Sequence, residues 1–205
     1  MIIDNYKDFK RFLESLTEKP KLLLHACCAP CSSHCIFLLN KYFDITIYYS
    51  NDNIYPKEEF EFRLNEINRF TKELNLGINV ISDGYNPDDY YKAIEGLESL
   101  GEKSKRCYEC YKERLTKTAI KAKKEGYDYF STTLSISPYK VSRWINEIGR
   151  SLEKELDMPY LYSDFKKEEG YKHSIELSMK YNLYRQDYCG CKFSIEERDK
   201  ANGKD

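Results

Sequence analysis

Short apolar runs alternate with longer amphipathic stretches along this chain, the pattern of strands exchanging with helices. Lys21 to Ala26 carries Leu22-Leu23-Leu24 and then breaks into Cys27-Cys28-Ala29-Pro30-Cys31-Ser32-Ser33, which predicts a strand, a tight turn and a helix running through Lys41. Ile45–Tyr49 and Ile78–Ser82 predict two further strands, separated by a helix over Lys57–Leu76 that Gly77 closes. Helices are expected over Asp88–Leu100 and Tyr108–Glu125, the latter ended by Gly126. A strand over Tyr127–Thr133, a helix over Lys140–Leu156 and a short strand at Pro159–Tyr162 follow. The tail offers a helix near Tyr171–Asn182 and an irregular, cysteine-bearing stretch from Arg185 to Phe193.

This alternation implies a mostly parallel sheet flanked by helices, a Rossmann-like, nucleotide-hydrolase-like α/β fold with a cysteine-bearing C-terminal helical tail. With 205 residues and no linker-like or repetitive segment, a single catalytic domain over 1–205 is expected, in which 183–205 is a tail contributing to the active site. In open sheets of this kind ligands bind beyond the carboxyl ends of the strands, where strand order reverses. Cys27–Ser33 occupies the turn after the first strand, a usual wall of that crevice.

Composition narrows the compartment. Hydrophobic residues make up 41% and charged residues 33%, which suits a soluble globular protein. No apolar run reaches the roughly 18 residues of a membrane span, and Met1–Asn5 lacks the features of a signal peptide, so a cytoplasmic protein without a membrane partner is expected. The 19 tyrosines and 10 phenylalanines could serve a core or a stacking site. Net charge is −1, yet Lys103–Lys124 holds nine Lys or Arg against two Glu. That stretch reads either as a face for a phosphate-bearing substrate or as an ordinary solvated face.

Eight cysteines, at 27, 28, 31, 35, 107, 110, 189 and 191, carry the chemistry, because clustered thiols in a reducing cytosol mean metal or redox function. Cys107-Tyr108-Glu109-Cys110 is a CxxC pair at a helix start. With Cys27-Cys28-x-x-Cys31 and Cys189-Gly190-Cys191 it makes seven candidates, more than the four that close a structural zinc site, and the surplus favours reactive chemistry. A CxxxCxxC radical motif is absent, since position 38 is Leu. Cys35, preceding Ile36-Phe37-Leu38, reads as core. Cys31 reads equally as ligand, helix N-terminal thiol or packing residue. His25, on the strand face of Cys27, reads as a hydrogen-bonding partner of the turn, and Trp144 as core. His34 and His173 carry no usable signal.

Three segments in order, His25-Ala26-Cys27-Cys28-Ala29-Pro30-Cys31, Arg106-Cys107-Tyr108-Glu109-Cys110-Tyr111-Lys112-Glu113-Arg114-Leu115 and Tyr184-Arg185-Gln186-Asp187-Tyr188-Cys189-Gly190-Cys191, resemble the cobalamin-independent epoxyqueuosine reductases. Asp164-Phe165-Lys166-Lys167, Gly170-Tyr171 and Ser174–Ser178 extend the resemblance over nearly the whole chain. It implies reduction of epoxyqueuosine to queuosine at the wobble position of tRNA, drawing on an unidentified electron donor. It also implies a [4Fe-4S] cluster ligated by Cys27, Cys28, Cys107 and Cys110, a second iron bound nearby, and a redox-active pair at Cys189 and Cys191 that can also ligate metal. Adjacent side chains project apart unless the turn is distorted, so Cys27 and Cys28 could also serve different metals, with a tail cysteine completing the cluster. Asp187 beside the pair is a candidate proton donor. Tyr108 and Tyr111 are candidate stacking partners of the modified base, with Lys112 and Arg114 as phosphate contacts.

Two rival functions are expected to fail. A zinc-stabilised RNA-binding module without catalysis leaves the surplus thiols unexplained. An ATP-using tRNA-modifying enzyme needs a glycine-rich phosphate loop, and Cys27–Ser33 contains no glycine.

Overall fold

The computed structural model describes Ile3 and residues 5–203. Helix α1 (Tyr6–Ser15) precedes β1 (Lys21–His25), α2 (Ala29–Leu39), β2 (Asp44–Tyr48), α3 (Lys57–Leu74) and β3 (Asn79–Ile81). Then come α4 (Pro87–Ala93), the long α5 (Lys105–Glu125), β4 (Tyr129–Thr132), a 3₁₀ helix (Thr133–Ile136), α6 (Ser142–Leu156), α7 (Gly170–Lys180) and α8 (Lys192–Ala201). The four strands form one parallel sheet in the order β3-β2-β1-β4, the expected α/β architecture.

Central β1 is buried on both faces, as strands of a parallel sheet covered by helices are. Side chains alternate along it, so Leu22 and Leu24 join Phe9, Ile36, Ile45 and Phe70 in one layer, while Leu23 joins Leu115, Phe130, Ile145 and Leu152 in the other. Helices α1, α2 and α3 therefore cover one face, and α5 and α6 the opposite one.

Several boundaries differ from the expected ones for local reasons. Helix α3 stops at Leu74 because Asn75 takes the left-handed conformation (φ 51°) and closes the helix before Gly77. Helix α4 stops at Ala93, short of Leu100, and Gly96 (φ 76°) follows in a left-handed turn. Helix α5 starts at Lys105, which places Cys107 and Cys110 in its first two turns. Pro159–Tyr162 supplies one bridge, Tyr160 with Phe130, in place of a strand. Helices α1 and α8 lie outside the expected set. Helix α1 is capped by Asn5, whose side chain accepts the N–H groups of Lys7 and Asp8, and it buries Phe9 and Leu13 one turn apart.

From β1 the chain builds outward through β2 to β3, and then β4 joins on the other side of β1. Strand order thus reverses between β1 and β4, and the crevice beyond their carboxyl ends is the topological switch point. The turn at Cys27 and Cys28 follows β1, and the 3₁₀ helix with the turn 137–140 follows β4. Among the described residues, no helix is long and apolar enough to cross a membrane.

Candidate active site: thiols at the switch point of the sheet

Cys28 sits at the N-cap of α2 in extended backbone (φ −172°, ψ 164°), and the chain turns into the helix directly after it. The side chains of Cys27 and Cys28, expected to diverge, are brought together by that turn, with their sulfurs 3.7 Å apart. Cys31, one helical turn further on, adds a third sulfur. All three lie within 4.8 Å of one another, a group that could hold a metal ion. Cys28 and Cys31 donate to Cys27 and hold its pKa well below the ordinary thiol value; as donors they are themselves pushed up, Cys28 to about 12. One thiolate beside two protonated thiols is a site from which a soft cation can displace protons.

Arg114, 2% exposed, lies behind these thiols. Its guanidinium donates to Asn51 Oδ1, and the Asn51 amide donates to the Ala26 carbonyl at 2.8 Å. The same charge lowers the pKa of Cys27, Cys110 and Cys189, so Arg114 is a cationic neighbour shared by all three cysteine groups. A buried cation there suits an anionic, thiolate-bearing assembly. His25 is held at the ends of β1 and β4, with Nδ1 2.8 Å from the Thr132 hydroxyl and Nε2 3.1 Å from the Ser50 carbonyl. That hydroxyl also accepts the Leu134 N–H at 3.1 Å, and the Arg114 Nε–H points at Nε2 from 3.3 Å. Burial, and then Arg114, push the His25 pKa down to about 3, which keeps the ring neutral.

The tail closes over the crevice. The Gln186 amide donates to the Cys28 sulfur at 3.1 Å, and the Tyr55 N–H donates to the Gly190 carbonyl at 2.8 Å. Cys191 caps α8 and packs with Cys110, Tyr90 and Ile94. Cys189 receives the Lys140 ammonium at 2.5 Å. The Cys191 thiol donating to Cys189, with Lys140 beside it, holds Cys189 well below an ordinary thiol, whereas Cys191 is pushed up. Gly190 adopts φ 119°, and a Cβ there would meet Arg63 at 3.1 Å and Ile54 at 3.2 Å. The residue between the two cysteines is therefore a glycine for both conformational and steric reasons. Cys27, Cys31 and Cys189 line a cavity of about 530 Å³, together with Lys140, Gln186 and Asp187.

The structure brings Cys31 into the group of Cys27 and Cys28, a residue the sequence left open. The signal was the C-C-x-x-C spacing, which puts Cys31 one turn from Cys28 once a helix starts at Ala29. Cys107 and Cys110 come from a separate helix, and Cys110 is pushed up to about 12 by burial. Asp187 lines the cavity and pairs with Arg198 at 2.8 Å. Cys35 packs in the core, fully buried.

The expected substrate-binding face of α5 is corrected at Tyr111 and Arg114. Tyr111 and Arg114 are each 2% exposed, packed inward by the face of α5 that meets the sheet, and present no surface to a base or phosphate. Half-buried Tyr108 donates to Glu147 at 3.1 Å and meets the Trp144 ring edge-on, while Lys112 is exposed. Lys117 is paired with Asp52, Asp89 and Glu113 at 2.5–2.9 Å, and Lys121 with Asp83 and Glu125 at 2.7 and 3.0 Å. Asp52, Asp83 and Asp89, arriving from other elements, thus engage these two lysines.

Residues 22–197 match the family model described as Epoxyqueuosine reductase QueH. The chain belongs to this family. An epoxyqueuosine reductase QueH of Streptococcus pyogenes serotype M1 is 40% identical over 187 residues, covering 89% of this chain and 73% of the relative. One from Thermotoga maritima is 36% identical over 180 residues, covering 86% and 91%. Among solved structures, the U34-tRNA thiolase NcsA from Methanococcus maripaludis with its [4Fe-4S] cluster superposes with a TM-score of 0.52 at 14% identity, covering 96% of this chain and 72% of that one. A predicted subunit of tRNA methyltransferase from Methanocaldococcus jannaschii gives 0.50 at 16% identity, covering 90% of each chain. At such identities these two neighbours establish a shared α/β fold.

Proposed function

We propose that this chain reduces epoxyqueuosine at the wobble position of tRNA to queuosine, within the cytosol. The observation that carries the reading is the placement, in a family member, of Cys27, Cys31 and Cys189 on one cavity at the switch point of the sheet, with Cys110 packed against Cys191 beside it. The relatives are named epoxyqueuosine reductases, and their activity is carried to this chain on that basis.

A [4Fe-4S] cluster would be held by Cys27 and Cys28 from the turn after β1 and by Cys107 and Cys110 from α5. Cys31 is a further sulfur available to a second iron. The donors fit such groups: they are thiols, largely buried, with Arg114 supplying the balancing charge. When bound, a cluster supplies electrons one at a time.

The net reaction takes two electrons and two protons, since the epoxide oxygen leaves as water and a carbon–carbon double bond remains. Cys189 and Cys191 balance the electrons as a pair: the Cys189 thiolate and the Cys191 thiol become one disulfide, releasing two electrons and one proton, the second proton comes from solvent by way of Asp187, and an external donor restores the pair. Their unequal acidities, a stabilised thiolate at Cys189 beside a protonated Cys191, are those of a redox-active pair. Lys140 holds the Cys189 thiolate in place. Asp187, on the cavity wall, is the proposed proton donor to the leaving oxygen. The tail, anchored through Gln186 and Gly190, restricts water at the thiols, and the modified base must leave the anticodon stack to enter the cavity.

Anaerobic purification with iron, sulfide and zinc analysis, followed by nucleoside analysis of epoxyqueuosine-containing tRNA after incubation with a chemical reductant, tests the reading. Iron with acid-labile sulfide and conversion to queuosine are expected. Stoichiometric zinc without sulfide, or no conversion by iron-loaded protein, overturns it.

A further inference from the structure

We infer that the turn 137–140 grips two successive nucleotides of the RNA: the modified one inside the cavity past Lys140, and its neighbour stacked on Tyr139 at the rim. This rests on the function proposed above.

Tyr139 lines the cavity and is also 64% exposed, so its ring stands at the mouth with a face bare to solvent. The ring is carried on a held turn: the Lys140 N–H donates to the Ser137 carbonyl at 3.2 Å, and the Tyr139 N–H donates to the Ser137 hydroxyl at 3.3 Å. Consecutive residues of this turn serve opposite sides. Lys140 reaches inward to Cys189, while Tyr139 stays outside with the Lys103 ammonium 6.0 Å from its ring centroid. On the cavity wall contributed by α7 and the tail, the exposed Arg185 lies 5.5 Å from the Tyr171 ring and donates to the Ser178 hydroxyl at 3.1 Å.

An aromatic ring with an adjoining cation thus stands both on the turn after β4 and on the wall formed by α7 and the tail. Aromatic faces stack on any base, and the cations meet phosphates, which is how single-stranded RNA loops are held. The acids of the lining are Glu102 and Asp187, and Asp187 already faces Arg198. On α5, Lys117 and Lys121 are engaged by carboxylates. The mouth therefore has the chemistry to receive a splayed loop, with Tyr139 exposed at the rim and Lys140 against Cys189 within.

The test is equilibrium binding of an anticodon stem-loop RNA carrying epoxyqueuosine at the wobble position to iron-loaded protein. Stacking contributes about 1–3 kcal/mol per base, so Tyr139→Ala should weaken binding about 5- to 150-fold, with Tyr139→Phe staying within about twofold of wild type. Lys103→Ala should lower the slope of log Kd against log salt by about 0.7. Two further RNAs, with fluorescent 2-aminopurine on the 5′ or the 3′ side of the wobble base, should show quenching at one position that Tyr139→Ala abolishes. Iron content should be unchanged in these variants. Wild-type affinity and quenching in Tyr139→Ala, with the wild-type enzyme still converting the RNA, would overturn the inference and leave the function standing. Wild-type protein that neither binds nor converts the RNA would overturn both.

Discussion

The Lys140 ammonium lies 2.5 Å from the Cys189 sulfur, joining the turn after β4 to the tail that crosses the crevice. With the Cys191 thiol it keeps Cys189 well below the ordinary thiol pKa despite burial. Replacing Lys140 with Met removes the cation, so the Cys189 pKa should rise and its thiolate fraction fall. In reduced, metal-free protein the iodoacetamide alkylation rate of Cys189 at pH 7, followed by peptide mass spectrometry, should drop about tenfold or more. An unchanged rate would mean that Cys191 alone sets the acidity.

The tail cysteines and the α5 cysteines should separate on mutation. Cys189→Ser and Cys191→Ser are expected to keep most of their iron, sulfide and visible absorption while losing multi-turnover conversion of epoxyqueuosine-containing tRNA. Cys107→Ser and Cys110→Ser should lose the chromophore itself. Iron loss in the tail variants as severe as in the α5 variants would show that the tail ligates metal.

His34 and His173 meet between α2 and α7, with their Nδ1 atoms 3.0 Å apart. Burial, and then the neighbouring imidazole, push the His34 pKa down from 6.5 to about 4. The unfolded chain therefore takes up a proton that the folded chain resists. Stability from this group is complete above pH 6.5 and is lost as pH falls toward about 4. Discounted for partial exposure, the loss should be about 1–2 kcal/mol. Urea midpoints at pH 7 and pH 5 should differ in that direction, and His34→Gln should shrink the difference.

Gly190→Ala should destabilise the tail by about 1–3 kcal/mol, because an alanine resists a positive φ and its Cβ would press on Arg63 and Ile54. A lower melting temperature is expected, with faster alkylation of Cys189 as the tail lifts. Wild-type values for both would mean that the segment relaxes without strain.

Local pattern was enough to determine the alternation of strands and helices, the parallel sheet, and the placement of Cys27 at the carboxyl end of the first strand. Periodicity and capping depend on neighbouring residues, and where such signals were misread, as at Asn75 and Gly96, the error was one of boundary. The three cysteine groups were also legible, since the types and spacings of potential metal ligands are properties of short segments. Tertiary structure alone decided what each group faces. Cys31 joined Cys27 and Cys28 because α2 begins at Ala29 and winds it back one turn. Arg114 and Tyr111, plausible surface residues in a basic helix, turned inward when α5 docked on the sheet. Lys117 and Lys121 met Asp52, Asp89 and Asp83 on elements distant in the chain. Lys140 met Cys189 the same way. Burial and charge pairing act through space, and the segments concerned come within a few ångströms only once the sheet has assembled and the tail has crossed it.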